Sequence, residues 1–203
     1  MNYLGHSYLA YVQESFDEGL AVGHFIADFL RGSSWLQSLP PFVQRGVLMH
    51  RATDAFTDAH PASRRMAARL QPDFGKYAPV IVDVVYDHFL GKNWDSHSQQ
   101  GLYEHAQAYY ETLTNNELYL PEKAIQVLKN MKRDNWLFYY GSRRGFWLSL
   151  NGLARRSSSG SHIPQAAQLV HDAHDLYKSD FEEFIQDLKT FKANWLVDNS
   201  PKL

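Results

Sequence analysis

The chain contains no cysteine among its 203 residues. Disulfide bonds, thiolate metal sites and a cysteine nucleophile are therefore excluded, and any metal ion would be bound by histidine, aspartate or glutamate. A strong charge of either sign is also missing, because 20 Lys and Arg residues stand against 22 Asp and Glu residues, for a formal net charge of -2. This balance gives the protein no overall attraction to nucleic acid.

Long hydrophobic runs are missing as well. No window approaches the roughly 18 uncharged apolar residues that a membrane-spanning helix needs. Residues 1–10 lack the basic start and the apolar stretch of a signal peptide. We therefore expect a cytoplasmic protein that binds neither membrane nor nucleic acid. The 44% share of hydrophobic residues is enough for one sizeable core, so we predict a single domain over residues 1–203.

The hydrophobic pattern is helical along most of the chain. Strand signals are weak, and the main one, the β-branched run 80–85, is interrupted by Asp83 and has helical periodicity on both sides. We therefore predict an all-α fold, a compact helical bundle. After an apolar helix that stops at Gly32, a helix is expected from Pro40 to about Phe56, and His60-Pro61 breaks the chain before a short Arg-rich helix that ends at Leu70. Further helices are expected over about 77–94, 99–114, 121–139, 145–154 and 164–197.

The segment around residue 50 carries a first pair of possible metal ligands. On a helix His50 and Asp54 lie at i and i+4 and share a face, and Asp58 continues that row if the helix lasts one more turn. Two such ligands on a rigid helix can converge on one ion. Simpler roles remain open: Asp54 can form an ion pair with Arg51, and Asp58 can cap the helix that follows Pro61.

A second helix repeats this spacing. Asp83 and Asp87 are again at i and i+4, and His88 lies about 100° around the helix from Asp87. The flanking residues are mostly apolar, which predicts that much of this helix is buried. A carboxylate in such surroundings is costly unless it is paired or bound to a metal.

The N-terminal segment adds further candidates. Asp28 sits in an otherwise apolar helical turn, with His24 four residues earlier, and His6 lies near the start of the chain. Taken singly, Asp28 is more typical of a cap or an ion-pair partner, and His6 of a hydrogen-bonded core histidine. A late cluster, His171 to Asp175, is rich in the same residue types, but its polar surroundings favour a solvated helix face.

The convergence of three such helices predicts a metal centre, because no single pair is specific by itself. A mixture of neutral imidazole and carboxylate ligands suits Mn²⁺, Fe²⁺ or Zn²⁺ better than Ca²⁺. Spacing alone does not say which reaction such a centre would catalyse.

As a set, these motifs resemble the acyl carrier protein phosphodiesterase family. Their order and spacing match over about the first hundred residues, and the second half matches more loosely. The segments that carry the resemblance are residues 1–6, 26–32, 50–54, 56–58, 60–61 and 83–90 with Trp94, and, in the second half, residues 151–156.

The resemblance implies a distorted version of the helical HD hydrolase fold. It implies that the protein removes the 4′-phosphopantetheine arm from holo-acyl carrier protein with a divalent metal. Mn²⁺ would be preferred, with Mg²⁺, Fe²⁺ or Co²⁺ as possible substitutes. Asp28 matches the family's essential aspartate. One departure is His24, where the family is expected to favour Asn.

These considerations lead to a full set of expected site residues. The expected catalytic residues are Asp28, His50, Arg51 and Asp87. The expected metal ligands, or residues that orient them, are His6, Asp28, His50, Asp54, Asp83, Asp87 and His88. Substrate contacts are expected from His24, Arg31 and Asp58, and a basic rim of Arg45, Arg64, Arg65 and Arg69 would dock the acidic carrier protein. For Arg51, a phosphate contact and an ion pair with Asp54 are equally plausible.

Two other functions are compatible with the same residues. One is an HD-type phosphohydrolase that acts on a nucleotide or another small phosphoester, which would turn over its substrate without a carrier protein. The other is a non-catalytic helical binding protein in which Asp and His residues form buried ion pairs, and it would bind no metal. The sequence leaves the oligomeric state open.

Overall fold

The computed structural model describes residues 1–12, 14–30, 33–157 and 160–200. Within these ranges the chain is almost entirely helical, with one short antiparallel hairpin formed by β1 (Tyr11–Val12) and β2 (Ser15–Phe16). The predicted all-α fold class is confirmed. The α-helices are α1 (Tyr3–Ala10), α2 (Glu18–Ile26), α3 (Ser33–Ser38), α4 (Pro41–Ala59), α5 (Pro61–Phe74), α6 (Ala78–Lys92), α7 (Leu102–Asn115), α8 (Glu122–Asp134), α9 (Trp136–Tyr139), α10 (Arg143–Arg155), α11 (Ala166–Asp172) and α12 (His174–Asp198).

Two long helices of the sequence prediction are interrupted in the structure. Asn135, with a left-handed φ of 45°, ends α8 and separates it from α9. Its short polar side chain tolerates this conformation better than most residues do. A non-helical residue, Ala173, separates α11 from α12. The β-branched run 80–85 is helical within α6, as its periodicity predicted.

The helix that carries the first candidate pair is longer than expected. It continues past Phe56 to Ala59, so Asp58 lies in its last turn and continues the row of His50 and Asp54. Asp58 does not cap the following helix. His60 takes that position, and its Nδ1 accepts a hydrogen bond from the backbone N–H of Ala62 at 3.2 Å.

The chain divides into two compact units, and the first comprises Met1–Asn2, Ala55–Asn93 and Tyr139–Leu203. Within it, α5 packs against α6 and α12, and α6 also packs against α10. Fully buried aromatic rings form much of its core, such as Tyr86 of α6, which stacks on Phe184 of α12 with centroids 4.0 Å apart.

The second unit comprises Tyr3–Asp54 and Trp94–Phe138. Here α2 is central, since it packs against both α1 and α7, and α7 packs in turn against α8. Seven of the nine residues in α2 are apolar residues or glycines that are buried, so this helix is buried on nearly every side. They are Gly19 to Gly23, Phe25 and Ile26. Across the described parts of both units, no helix combines the length and the apolar character needed to cross a membrane.

Candidate metal centre

Five of the predicted site residues lie on neighbouring elements of the second unit. His6 is on α1 and His24 is on α2. Asp28 follows in a short 3-10 helix, Ala27–Phe29, that continues directly from α2. His50 and Asp54 are one turn apart on α4. The packing of α1 on α2 therefore brings residues that are distant in sequence to one region.

Glycines allow α2 and α4 to approach each other closely. A Cβ atom built on Gly46 would lie 2.8 Å from the Cα of Gly23 and 2.9 Å from the Cα of Leu20, closer than real Cβ contacts allow. Gly23 precedes His24, and Gly46 lies one helical turn before His50. The absence of side chains at this crossing is therefore what permits the two imidazoles to meet.

One group of possible metal donors consists of Asp28, His50 and Asp54, whose ligand atoms lie within 4.8 Å of one another. The Nε2 of His50 is 3.3 Å from Oδ1 of Asp28 and 3.0 Å from Oδ2 of Asp54. The other carboxylate oxygen of Asp54, Oδ1, is 3.3 Å from Nε2 of His6. Four side chains thus converge on one point.

A second group of possible donors is formed by three imidazoles, those of His6, His24 and His50, again within 4.8 Å of one another. All three residues are at least 96% buried. The Nδ1 atoms of His6 and His24 are 2.9 Å apart, so one of them donates a hydrogen bond to the other. His6 also stacks on His50, with ring centroids 4.1 Å apart. His50 belongs to both groups.

The two carboxylates of this site stabilise the protonated form of a neighbouring imidazole. Burial disfavours a charge on His50, but hydrogen bonds from its Nε2 to Asp28 and Asp54 outweigh burial and raise the pKa of His50 to about 9. The hydrogen bond from His50 lowers the pKa of Asp28. Burial raises the pKa of Asp54, but hydrogen bonds from His50 and His6 outweigh it and hold that pKa well below its usual range.

His6 behaves differently from His50. Burial, reinforced by the nearby positive charge of His50, lowers the pKa of His6 to about 4. At neutral pH the site therefore contains two carboxylates, one imidazolium and one neutral imidazole, and its charge is still negative. Neutral imidazole and carboxylate are the donors that first-row divalent metals prefer, so these residues fit such an ion. The Asp28 side chain is 70% exposed, which leaves the site open to solvent and substrate.

Three other predicted ligands lie in the first unit, where each has a different partner. Asp83 forms an ion pair of 2.9 Å with the α-amino group of Met1. Asp87, which is fully buried, accepts a hydrogen bond of 3.3 Å from the backbone N–H of Asn2. Neither group of possible donors among the described residues includes Asp83, Asp87 or His88. Their role as ligands stays a prediction.

His88 is buried and acts as a hydrogen-bond donor. Its Nδ1 donates to the carbonyl oxygen of Tyr140 at 2.9 Å, and its ring stacks on Phe146 with centroids 4.4 Å apart. Burial outweighs that hydrogen bond and lowers the pKa of His88 from 6.5 to about 4. His88 is therefore neutral in the folded protein at any pH above about 4.

A testable consequence is that His88 makes the protein less stable in mild acid. The unfolded chain binds a proton at His88 below pH 6.5 while the folded chain does not, so stability falls as the pH drops towards the folded pKa. Between about pH 6.5 and pH 5 this loss is about 1.5 kcal/mol. Denaturant titrations of the metal-free protein should show it as a difference from His88→Asn, which keeps a donor near Nδ1 but does not titrate. Parallel pH profiles for the two proteins would contradict the buried neutral state.

The predicted substrate and docking residues have varied surroundings. Arg51 is exposed and forms no ion pair with any residue of the described ranges, so the alternative of a salt bridge to Asp54 is not what the structure shows. Asp58 and Arg64 are also exposed. Arg31 lies outside the described residues.

The other arginines of the predicted rim have acidic partners. Arg45 pairs with Asp17 at 3.0 Å, near the start of α2. Arg65 and Arg69 of α5 both pair with the nearly buried Asp180 of α12. These contacts join elements within their own units, which gives the arginines a structural role besides any contact with a partner.

Some features of the site were outside the sequence prediction. The contact of His24 with His6 and its place in the imidazole group were not expected, and its predicted contact with substrate stays a prediction. The glycines at the crossing of α2 and α4 were not recognised, although Gly19 and Gly23, four residues apart in an apolar helix, are a signal for close packing. The late cluster is exposed at His171 and Asp175, as expected for a solvated face.

The fold and this site together define an all-α protein with a candidate divalent-metal centre built from histidine and aspartate. The family profile described as acyl carrier protein phosphodiesterase matches residues 1–188. The chain therefore belongs to the acyl carrier protein phosphodiesterase family.

Curated relatives with the same name support this assignment. The chain is 30% identical over 188 residues to the acyl carrier protein phosphodiesterase of Photorhabdus laumondii, with 91% of each chain covered. It is 31% identical over 180 residues to that of Yersinia enterocolitica, which covers 87% of this chain and 86% of the relative. The protein of Escherichia coli O6:H1 is 31% identical over 160 residues, covering 77% of this chain and 79% of the relative. No solved structure matches the chain.

Proposed function

We propose that the protein hydrolyses the phosphodiester that links 4′-phosphopantetheine to a serine of holo-acyl carrier protein, and that it does so with a bound divalent metal. The products would be apo-acyl carrier protein and 4′-phosphopantetheine. The observation that carries the metal-dependent part is the convergence of Asp28, His50 and Asp54 on one point. Membership of the phosphodiesterase family supports the substrate.

The residues proposed to hold the metal are His6, Asp28, His50 and Asp54, with His24 either joining them or orienting His6. When bound, a divalent ion would lower the pKa of a water and stabilise the charge that develops on the phosphoryl group. We propose Mn²⁺, because a mixed set of imidazoles and carboxylates suits a cation of intermediate hardness. The same mixed donor set is compatible with the distorted HD-type relation implied by the sequence.

The residues of the chain itself would perform the remaining tasks. Asp28 is 70% exposed and has a lowered pKa, so it is ionised at neutral pH. If it does not bind the metal, it would instead accept a proton from the attacking water. Arg51, next to His50 on α4, is free of ion pairs within the described ranges and its guanidinium matches two phosphate oxygens. His6 and His24, both buried, fix the orientation of the site by their mutual hydrogen bond.

The proposal is tested by incubating the full chain with holo-acyl carrier protein and Mn²⁺ and following the mass of the carrier protein. We expect the loss of the 4′-phosphopantetheine group in the presence of Mn²⁺ and no loss after the metal is removed. An Asp28→Ala variant should be inactive under the same conditions. Loss of one proton acceptor costs about a hundredfold or more in rate, which is easily seen in such an assay.

A matched control is Asp95→Ala, in a short 3-10 helix (Trp94–Ser96) and in neither group of possible donors. It should be as active as the parent. Full activity of Asp28→Ala would contradict the assigned site. Turnover of free nucleotides without any action on the carrier protein would favour a small-molecule phosphohydrolase. Failure to bind Mn²⁺ would favour a non-catalytic protein with ion-paired Asp and His residues.

A further inference from the structure

The first unit contains a cavity of about 560 Å³ that is not part of the candidate metal centre. It is lined by the C-terminal end of α6, the first turns of α10, and α11 with the residues around it. Its volume is within the range of pockets that bind small molecules. Its described lining residues include several cationic and aromatic side chains and no aspartate or glutamate.

One wall of the cavity is positively charged. Lys92 lies at the end of α6, and Arg143 and Arg144 begin α10. Both arginines are exposed, and neither forms an ion pair with a residue in the described part of the chain. Lys92 donates a hydrogen bond to Nε2 of His174 at 3.0 Å, and no carboxylate of the described residues pairs with it directly. The first turn of a 13-residue helix adds its own partial positive charge.

The close approach of two chain segments produces this wall. A Cβ atom built on Gly141 would lie 2.5 Å from the carbonyl carbon of Gly91 and 2.7 Å from the backbone nitrogen of Lys92. Only glycine fits at that distance. The chain therefore enters α10 directly beside the end of α6, so Lys92, Arg143 and Arg144 line the same cavity.

A second wall is apolar and aromatic. Phe146 is buried with its ring stacked on His88, and Val170 is also buried. Trp147 differs, because 49% of it is exposed although it lines the cavity. An indole ring beside unpaired guanidinium groups offers a flat apolar surface next to positive charge. Such a combination suits a ligand with both an anionic and an apolar part.

We infer that this cavity binds a small organic phosphate, with its phosphate group against Lys92, Arg143 and Arg144 and its apolar part on Phe146 and Trp147. Guanidinium groups pair with phosphate oxygens through two parallel hydrogen bonds, and the apolar wall distinguishes an organic phosphate from the free ion. A pantetheine phosphate and a nucleoside phosphate share this chemistry. The inference concerns binding only and stands whether or not the protein hydrolyses holo-acyl carrier protein.

The test is a calorimetric titration of the full chain, with and without Mn²⁺, at constant ionic strength. Three probes are compared: inorganic phosphate, 4′-phosphopantetheine and adenosine 5′-monophosphate. At least one organic phosphate should bind about tenfold more tightly than inorganic phosphate, with or without Mn²⁺. The tighter binder of the two organic probes shows whether the cavity prefers a pantetheine phosphate or a nucleoside phosphate.

Variants locate the binding. The double substitution Arg143→Gln and Arg144→Gln should weaken organic phosphate binding by about tenfold or more, since two charge-assisted contacts are lost. Trp147→Ala should weaken binding of the organic probe but leave inorganic phosphate unchanged. The matched control is Arg155→Gln at the other end of α10, which does not line the cavity.

Several outcomes would overturn the inference. The inference is wrong if neither organic phosphate binds more tightly than inorganic phosphate does. It is also wrong if binding of the organic phosphate requires Mn²⁺, or if the double substitution leaves the affinities unchanged. Because the altered arginines are exposed, the variants should melt at the temperature of the parent, so lost binding would not reflect unfolding. Hydrolysis of the carrier protein is measured separately, so this inference and the proposed function fail independently.

Discussion

Replacing His50 by alanine should reduce phosphodiesterase activity by at least about a thousandfold and abolish tight Mn²⁺ binding, because loss of the ion removes several kcal/mol of transition-state stabilisation. His50 belongs to both groups of possible donors. Its Nε2 lies within 3.3 Å of oxygens from both Asp28 and Asp54, and its ring stacks on that of His6, so it contacts three other members of the described site.

The fold should survive this substitution. The two carboxylates that would lose their partner are 70% and 42% exposed, at Asp28 and Asp54, so water is able to solvate them. Metal binding by calorimetry, steady-state rates and the melting temperature of the metal-free protein separate a lost ligand from a lost fold. Leu48→Ala is the control, because Leu48 is a half-exposed residue of the same helix and should change none of the three.

Two results would contradict this assignment in different ways. If His50→Ala binds Mn²⁺ as the parent does but is inactive, His50 acts on substrate and not on the metal. If the variant keeps both metal binding and activity, the centre lies elsewhere in the chain.

Replacing Gly46 by alanine should destabilise the protein by about 2 kcal/mol, although alanine favours helices more than glycine does. The added methyl group would lie 2.8 Å from the Cα of Gly23 and 2.9 Å from the Cα of Leu20. These are backbone atoms that cannot turn aside, so α2 and α4 must separate. His24 and His50 follow those helices, and the affinity for Mn²⁺ should therefore fall together with stability.

Gly152→Ala should have the opposite effect on the stability of the protein. Gly152 is in α10, and a Cβ atom built there would meet nothing within 4 Å. This change should stabilise the protein by up to about 1 kcal/mol through helix propensity alone. Denaturant titrations of both variants measure the difference. A Gly46→Ala protein as stable as the Gly152→Ala protein would contradict the tight crossing of α2 and α4.

The helices were predictable because their signal is local. Periodic apolar residues identified the helices now seen as α4 to α8 and α10, and the helical periodicity around the run 80–85 correctly outweighed its β-branched composition. The breaks at Asn135 and Ala173 were not predicted. Neither position carries proline or glycine, the residues that most often mark such a break, although asparagine also tolerates the left-handed conformation that Asn135 adopts.

The candidate site was predictable only in part. The i, i+4 spacing correctly placed His50 and Asp54 on one helix face, where they contact each other at 3.0 Å. The same spacing at Asp83 and Asp87 led to the same expectation. In the structure those two carboxylates contact the α-amino group of Met1 and the backbone of Asn2. Spacing identifies a shared face but does not identify what that face meets.

The sequence by itself determined the residue types available for chemistry and the family. With no cysteine, any metal must be bound by histidine or a carboxylate, and the ordered motifs of the first hundred residues pointed to the family that the comparisons then confirmed. Only the tertiary structure decided which of the candidate residues converge. That outcome depends on how closely helices pack, as at Gly23 and Gly46, where the distance between backbones places His24 and His50 in reach of one another.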